Sequence, residues 1–162
     1  MEDKVSARYR AEELWRKAYA RQMNGDLAEA IQLYRASIAA YPTVEAHTFL
    51  GWSLSFLRRY DDAIAECKAA IELDPEFGNP YNDIGVYLME KNLLPQAVPW
   101  LIKATQVSRY ESPHFPWVNL GRVYEKIGPW SEAVRCYRRA IEIEPQYELA
   151  KRALRTLIAR MN

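Results

Sequence analysis

Small residues recur along this chain at a nearly constant spacing, and no other feature of the sequence restricts the possible folds as strongly. The spacings are 33, 34 and 36 residues in the series Ala30, Ala63, Ala97 and Ala133. Two further series keep the same spacings: Ala18, Gly51, Gly85 and Gly121, and Ser37, Ala70, Ala104 and Ala140. Segments end at Pro42, Pro75 and Pro145, with Arg109 at that place in the third segment. Repeats of this length are typical of arrays in which one supersecondary unit is copied and stacked.

Residues 49–77 show what one segment contains. Apolar residues recur three and four positions apart in two runs, which is the pattern of amphipathic helices. The first run is Leu50, Leu54 and Leu57, and the second is Ala63, Ile64, Cys67, Ala70 and Ile71, with a predicted turn at Arg58–Asp61. We expect the two helices to approach closely at Gly51 and Ala63, since neither residue has a bulky side chain. Each segment therefore predicts a helix, a turn and a second helix.

The three series of small residues resemble the tetratricopeptide repeat family over about residues 11–147. The stretch WVNLGRVY at residues 117–124 and the series Ala133, Tyr137, Ala140 and Pro145 add to the resemblance. It implies an all-α fold: a right-handed superhelical array of four helix-turn-helix units in a single domain, residues 1–162. The predicted units are residues 11–43, 44–77, 78–113 and 114–147, the third being two residues longer around 108–113.

A capping helix is predicted at residues 148–161, because the last unit of a repeat array needs its apolar face covered. Its predicted apolar side is Leu149, Ala153, Leu154, Leu157 and Ile158. At the other end of the chain, residues 3–10 are expected to extend the first helix.

Three helix starts carry side chains that can accept hydrogen bonds from free backbone N–H groups. These predicted N-caps are Thr43, Asn79 and Ser112. Pro80 and Pro113 then suit the first helical position, where no N–H partner is lost. Pro99 lies one turn into the second helix of the third unit, and predicts a bend or a late start of that helix.

The composition excludes several classes of function. The chain has a net charge of +1 and only two histidines and two cysteines. No global field selects nucleic acid or an acidic membrane, and no spacing of His, Cys, Asp or Glu suggests a metal site. We therefore expect no metal, no cofactor and no enzymatic activity. No secretory signal or run of about 20 apolar residues is visible, which predicts a cytoplasmic protein with reduced, buried Cys67 and Cys136.

Aromatic residues form a second apolar stripe on the first helix of the second unit. The stripe consists of Phe49, Trp52 and Phe56, with Trp15 and Tyr19 at the matching places in the first unit. It lies far around the helix from Leu50 and Leu54. In the tetratricopeptide family this face lines the concave groove in which peptides bind. The alternative is that these rings pack against neighbouring first helices. Separately, the aromatic residues predicted to lie in the core are His47, Trp117 and Trp130.

Along the same face, the expected chemistry changes from aromatic through acidic to basic. Asn119 matches a family position whose amide often holds a peptide backbone, since an amide donates and accepts at once. The predicted site comprises Trp15, Tyr19, Phe49, Trp52, Phe56, Asn82, Asp83, Asn119 and Arg122. The family positions that clamp a C-terminal carboxylate hold Trp15, Tyr19, Phe49, Asn79 and Asp83, so no such clamp is expected.

Three functions compete at this point. The first is a non-enzymatic module that binds a protein or peptide in its groove, through an apolar anchor next to a basic residue. The alternative is a dedicated secretion or assembly chaperone for one client, since small proteins of the family include such chaperones. The third is nucleic-acid binding through Arg135, Arg138 and Arg139, although the interspersed Glu132 and Glu142 favour a solvated outer face. We expect a protein partner, no nucleic acid and no membrane.

Overall fold

The computed structural model describes residues 3–162, which form nine α-helices and no strand. The helices are α1 (Lys4–Met23), α2 (Leu27–Ala40), α3 (Val44–Phe56), α4 (Tyr60–Leu73), α5 (Asn79–Glu90), α6 (Leu94–Ala104), α7 (His114–Ile127), α8 (Trp130–Ile143) and α9 (Glu148–Met161). The all-α repeat fold predicted from the sequence is confirmed. The first eight helices form four consecutive pairs, and α9 follows them.

The chain divides into two compact units, residues 1–75 and residues 76–162. In the first unit α1 packs on α2, α2 on α3, and α3 on α4. In the second unit the same succession runs from α5 and α6 through α7 and α8 to α9. Each unit therefore holds two helix pairs, and the second also holds the terminal helix.

The small residues mark the places where paired helices touch. A Cβ added to Gly51 would lie 3.0 Å from the backbone oxygen of Ala63, so the predicted close approach is confirmed. A Cβ added to Gly121 would lie 2.5 Å from the ring of Tyr137. The equivalent position in all four pairs is fully buried and is held by Tyr34, Cys67, Leu101 and Tyr137. A glycine or alanine on the first helix thus leaves room for the larger side chain of the second.

Each helix pair also turns at one residue with a left-handed backbone. The φ angles are 87° at Gly25, 58° at Arg58, 59° at Asn92 and 73° at Gly128. These four residues, which we call the turn series, keep the spacings of the small residues. The turn between α3 and α4 is shorter than predicted, because α4 begins at Tyr60.

One of the three predicted N-caps is confirmed and two are wrong. The Thr43 hydroxyl accepts a hydrogen bond from the N–H of Ala46 at 3.2 Å and caps α3. Asn79 is already the first residue of α5, which has no side-chain capping hydrogen bond. At α7 the N–H of Phe115 donates to the backbone carbonyl of Ser112 instead of its hydroxyl. Pro113 therefore precedes α7 and does not occupy its first position.

A contact between two loops holds the start of α5 instead. Phe77 and Arg109 form a β-bridge, beside which the N–H of Gly78 donates to the Arg109 carbonyl at 2.8 Å. Gly78 also lies against Tyr110, since an added Cβ would be 2.7 Å from that side chain. The longer loop of the third pair thus folds back on the loop that precedes α5.

Three residues predicted on apolar faces are exposed. Leu57 follows the last residue of α3, so it leaves the stripe formed by the helix. On α9 the fully buried residues are Ala150 and Leu157, whereas Leu149 and Ile158 are exposed. Ala153, Leu154 and Leu157 do pack in the core, so the buried face of α9 lies where it was predicted but is narrower, with Leu149 and Ile158 outside its two edges.

The other residues predicted to lie in the core are buried or half-buried. His47 is half-buried, and so are Trp117 and Trp130, which pack against the core formed by α7, α8 and α9. Both cysteines, Cys67 and Cys136, are buried, and they are not joined in a disulfide. Helix α6 begins at Leu94 and continues through Pro99, which is exposed. Water can hydrate the carbonyl whose helical partner the proline removes, because this side of the helix faces solvent.

Candidate functional site

Five aromatic residues of the first unit form one continuous group of rings, which we call the aromatic cluster: Trp15, Tyr19, Phe49, Trp52 and Phe56. Helix α1 places two of the rings one turn apart, and α3 places the other three at spacings of three and four residues. Trp15 and Tyr19 stack with their centroids 5.7 Å apart. Phe49 lies edge-on to both, at 5.3 and 5.5 Å. The chain of rings continues through Trp52 at 5.8 Å and ends at Phe56, a further 5.5 Å away.

The cluster has a packed side and an open side. Phe49 and Trp15 are half-buried, and the ring of the fully buried Tyr34 lies 6.2 Å from Phe49. Tyr19, Trp52 and Phe56 are 39%, 37% and 56% exposed. The rings thus cover one another in part, as the self-packing alternative expects, while three of them still present apolar edges to solvent.

The four polar residues of the predicted site lie in the second unit. The side-chain N–H of Asn119 donates to the side-chain Oδ1 of Asn82 at 3.0 Å, and a guanidinium N–H of Arg122 donates to Oδ1 of Asn119 at 3.5 Å. Asn82 and Asn119 are only 7% and 9% exposed, so these two amides pair with each other and are largely shielded from solvent. The sequence predicted these amides as contacts for a ligand and did not indicate that they pair.

Asp83 is the most perturbed carboxyl group of this unit. Burial raises its pKa from 3.8 to about 7, and a hydrogen bond with Asn82 offsets only part of this effect. Burial also raises the pKa of Tyr110, and the neighbouring Asp83 charge adds to the rise. A carboxyl group without a compensating cation keeps its proton to higher pH, because burial disfavours its charged form.

A pocket of about 440 Å³ opens between α7, α9 and the loop before α9. We call it the arginine pocket after Arg122 and Arg152, which line it together with Phe115, Tyr147 and Leu149. The Tyr147 ring lies 5.7 Å from Phe115 and 4.8 Å from His114. The part that α9 plays here was not evident from the sequence, whose pattern predicted only a capping helix. The available signal was that Leu149 and Ala150 are adjacent apolar residues of which one must face outward.

The structure thus sorts the predicted site into two separate groups, the aromatic cluster in residues 1–75 and the polar residues in residues 76–162. Within residues 3–162 no group of three His, Cys, Asp or Glu side chains could hold a metal ion. His47 instead pairs with Glu66, with Nδ1 2.7 Å from a carboxylate oxygen. Over the same residues, none of the helices has the length and apolar character needed to cross a membrane.

Most of the helices lie in segments that match models of a single protein family. Family models described as tetratricopeptide repeat match residues 16–76 and residues 117–151, which together are more than half of the chain. Sperm-associated antigen 1 of Mus musculus is 28% identical over 131 residues, covering 81% of this chain and 10% of that protein. The chain therefore spans about a tenth of the length of that relative.

Solved structures agree on the fold. PilF of Pseudomonas aeruginosa aligns with a TM-score of 0.88 at 17% identity, over 96% of this chain and 70% of that one. YrrB, a protein of the same repeat class with an unusual peptide-binding site, aligns with a TM-score of 0.72 at 19% identity. That alignment covers 88% of this chain and 73% of YrrB.

Proposed function

Because this chain belongs to the tetratricopeptide repeat family, whose members are typically non-catalytic protein-interaction modules, we propose that it binds a partner protein through its aromatic cluster. The partner contributes a peptide segment or a helix with an apolar side chain that covers the open edges of the rings. The likeness to YrrB supports the proposal in one respect: a chain of this fold can carry a peptide-binding site.

The open side of the aromatic cluster is the observation that carries this proposal. Leu50 and Leu54, on the other stripe of α3, are each 1% exposed and complete the core. Trp52 and Phe56 are turned away from that core and leave a large part of their rings in water. Contiguous exposed apolar surface commonly marks a partner site, and aromatic side chains commonly dominate the binding energy of such sites.

The rest of the cluster prepares the open rings for binding. Phe49 contacts Trp52 and is itself held by the stacked pair of Trp15 and Tyr19. Rings that are already fixed by their neighbours lose little conformational entropy when a ligand covers them. A basic side chain of the partner is proposed separately as the ligand of Asp83, whose carboxylate forms no ion pair with a cation in residues 3–162.

The test is affinity capture with three baits: the wild-type chain, Trp52→Ala, and Leu73→Ala as a control. Leu73 is an exposed leucine on α4 outside the aromatic cluster, so its removal reports the effect of losing any exposed apolar side chain. We expect Trp52→Ala to lose partners that the wild type and Leu73→Ala retain. For a captured partner, titration calorimetry should show a loss of about 2 kcal/mol or more, which is roughly a 30-fold rise in Kd.

Stability must be followed in the same variants. Trp52→Ala should destabilise the fold much less than Leu54→Ala, which removes a fully buried side chain at a cost of about 2–5 kcal/mol. If Trp52→Ala unfolds as readily as Leu54→Ala, or captures the same partners as the wild type, the proposal is wrong. Recovery of one stoichiometric client that is unstable without this chain would favour the chaperone alternative over a general adaptor.

A further inference from the structure

We propose that the arginine pocket of the second unit is a separate binding site for an acidic peptide segment. In it, a glutamate or aspartate side chain pairs with Arg122 and Arg152, and an adjacent apolar side chain rests on Phe115 and Leu149. The proposal rests on the general protein-binding function but not on the aromatic cluster, which lies in the other unit.

The first argument concerns the charges at the pocket. Across residues 3–162, neither Arg122 nor Arg152 makes an ion pair, and both side chains are exposed. Within that described range, the single hydrogen bond of the Arg122 guanidinium is the 3.5 Å contact with the side-chain Oδ1 of Asn119. Two other arginines of this unit do have carboxylate partners on their own helix: Arg135 pairs with Glu132, and Arg139 pairs with Glu142. Two free guanidinium groups at one pocket are suited to a carboxylate, which they can bind through charge-assisted hydrogen bonds.

The one acidic side chain that lines the pocket does not compete for these groups. Glu125 accepts a hydrogen bond from the Tyr137 hydroxyl at 2.9 Å. Its other carboxylate oxygen lies 3.5 Å from the guanidinium of Arg160. Since both oxygens of Glu125 already have partners, the positive charge of Arg122 and Arg152 remains for a ligand.

The second argument concerns the apolar wall. Phe115 and Leu149 are 38% and 54% exposed, and the Tyr147 ring packs edge-on against Phe115. The wall is therefore held in place although it is open to solvent. A pocket of about 440 Å³ is large enough for two neighbouring side chains and falls within the usual range for ligand sites.

The charge of the surrounding sequence favours the same occupant. Residues 78–162 carry 12 Lys and Arg against 8 Asp and Glu, a net charge of +4, whereas residues 1–77 carry 10 against 13, a net charge of −3. A positive surface speeds the approach of an acidic segment and disfavours a basic one. We therefore commit to an acidic segment with an apolar neighbour as the ligand.

The experiment uses the full chain and a fluorescein-labelled octapeptide with two glutamates between a leucine and a phenylalanine and an amidated C-terminus. Fluorescence polarisation should give a Kd that is lower, by about tenfold or more, than that of the same peptide with glutamines. A glutamine peptide with a free C-terminal carboxylate separates a side-chain site from a chain-end site. If only this last peptide binds, or if the acidic peptide does not bind below about 1 mM, the proposal is wrong.

Variants locate the binding. Arg152→Gln and Arg122→Gln should each weaken the acidic peptide by about tenfold or more. The matched control is Arg155→Gln, an exposed arginine on α9 that does not line the pocket. An equal loss in Arg155→Gln would show a general effect of charge and would overturn the assignment. Because Arg152 is exposed, its variant should melt as the wild type does. Leu73→Ala, an exposed position outside both the arginine pocket and the aromatic cluster, should bind this peptide unchanged.

Discussion

Replacement of Asp83 by asparagine should remove the contribution that the Asp83 carboxyl group makes to the pH dependence of the free energy of unfolding. In the folded chain, burial raises the pKa of Asp83 from 3.8 to about 7. The folded state therefore holds this proton through a range of pH in which the unfolded chain has lost it. Since each pKa unit corresponds to 1.36 kcal/mol, the full difference amounts to about 4 kcal/mol.

The sign follows from which state binds the proton more tightly. A carboxyl group whose pKa is raised by folding contributes its full stability below about pH 4, and this contribution is lost as the pH rises through about 7. Between pH 5 and pH 8 the expected loss from Asp83 alone is about 2–3 kcal/mol. An asparagine side chain resembles the protonated acid in size and hydrogen bonding, so Asp83→Asn should keep its stability over this range better than the wild type.

Urea unfolding at pH 5 and pH 8 measures the effect. The matched control is Glu90→Gln, an exposed acid on the same helix, which should follow the wild type at both pH values. The quantity of interest is the difference between Asp83→Asn and the wild type, because all other titrating groups are common to the two chains. If that difference is the same at pH 5 and pH 8, the carboxyl group of Asp83 is not held in the environment described.

Two further perturbations test the packing. Ala63→Leu should destabilise the chain by about 1–3 kcal/mol in thermal unfolding, since Ala63 is fully buried where α3 and α4 meet, and an unchanged melting temperature would contradict this contact. Deletion of residues 148–162 should expose the apolar surface that Ala150 and Leu157 cover and cause aggregation or early melting, as followed by light scattering. A truncated chain that stays monomeric and equally stable would show that α9 does not act as a cap.

The helix pairs could be predicted from the sequence because their packing depends on residue size at fixed spacing. Gly51 and Ala63 are small at the point where two backbones nearly touch, and the same requirement repeats in every pair. The second stripe of α3 was equally visible, because Trp52 and Phe56 lie at helical spacing away from the core leucines. The extent to which those rings cover each other depends on contacts between α3 and α1. The spacing of residues within one helix does not predict such contacts.

Several features that the sequence did not indicate depend on contacts outside the local pattern. Asn79 looked like an N-cap, but the bridge between residues 77 and 109 sets the start of α5, and no local pattern announces that pairing. The side chains of Asn82 and Asn119, which are 37 residues apart in the sequence, form a hydrogen bond, and both are largely buried. On α9, both Leu149 and Ala150 are apolar, so the sequence alone could not decide which of them would face the core.

The turn series has a consequence for where the chain opens first. Gly25 and Gly128 adopt the left-handed conformation readily, whereas Arg58 takes it against a steric cost of roughly 1–2 kcal/mol and Asn92 against a smaller one. In a repeat array, local stability is set largely by each repeat and its immediate contacts. The stability of the pair α3–α4 therefore depends more on side-chain packing than that of α1–α2 or α7–α8. Local opening of this pair is expected to begin at the turn between α3 and α4. Because α3 carries Phe49, Trp52 and Phe56, a ligand that covers these rings would also slow the exchange of amide protons around Arg58.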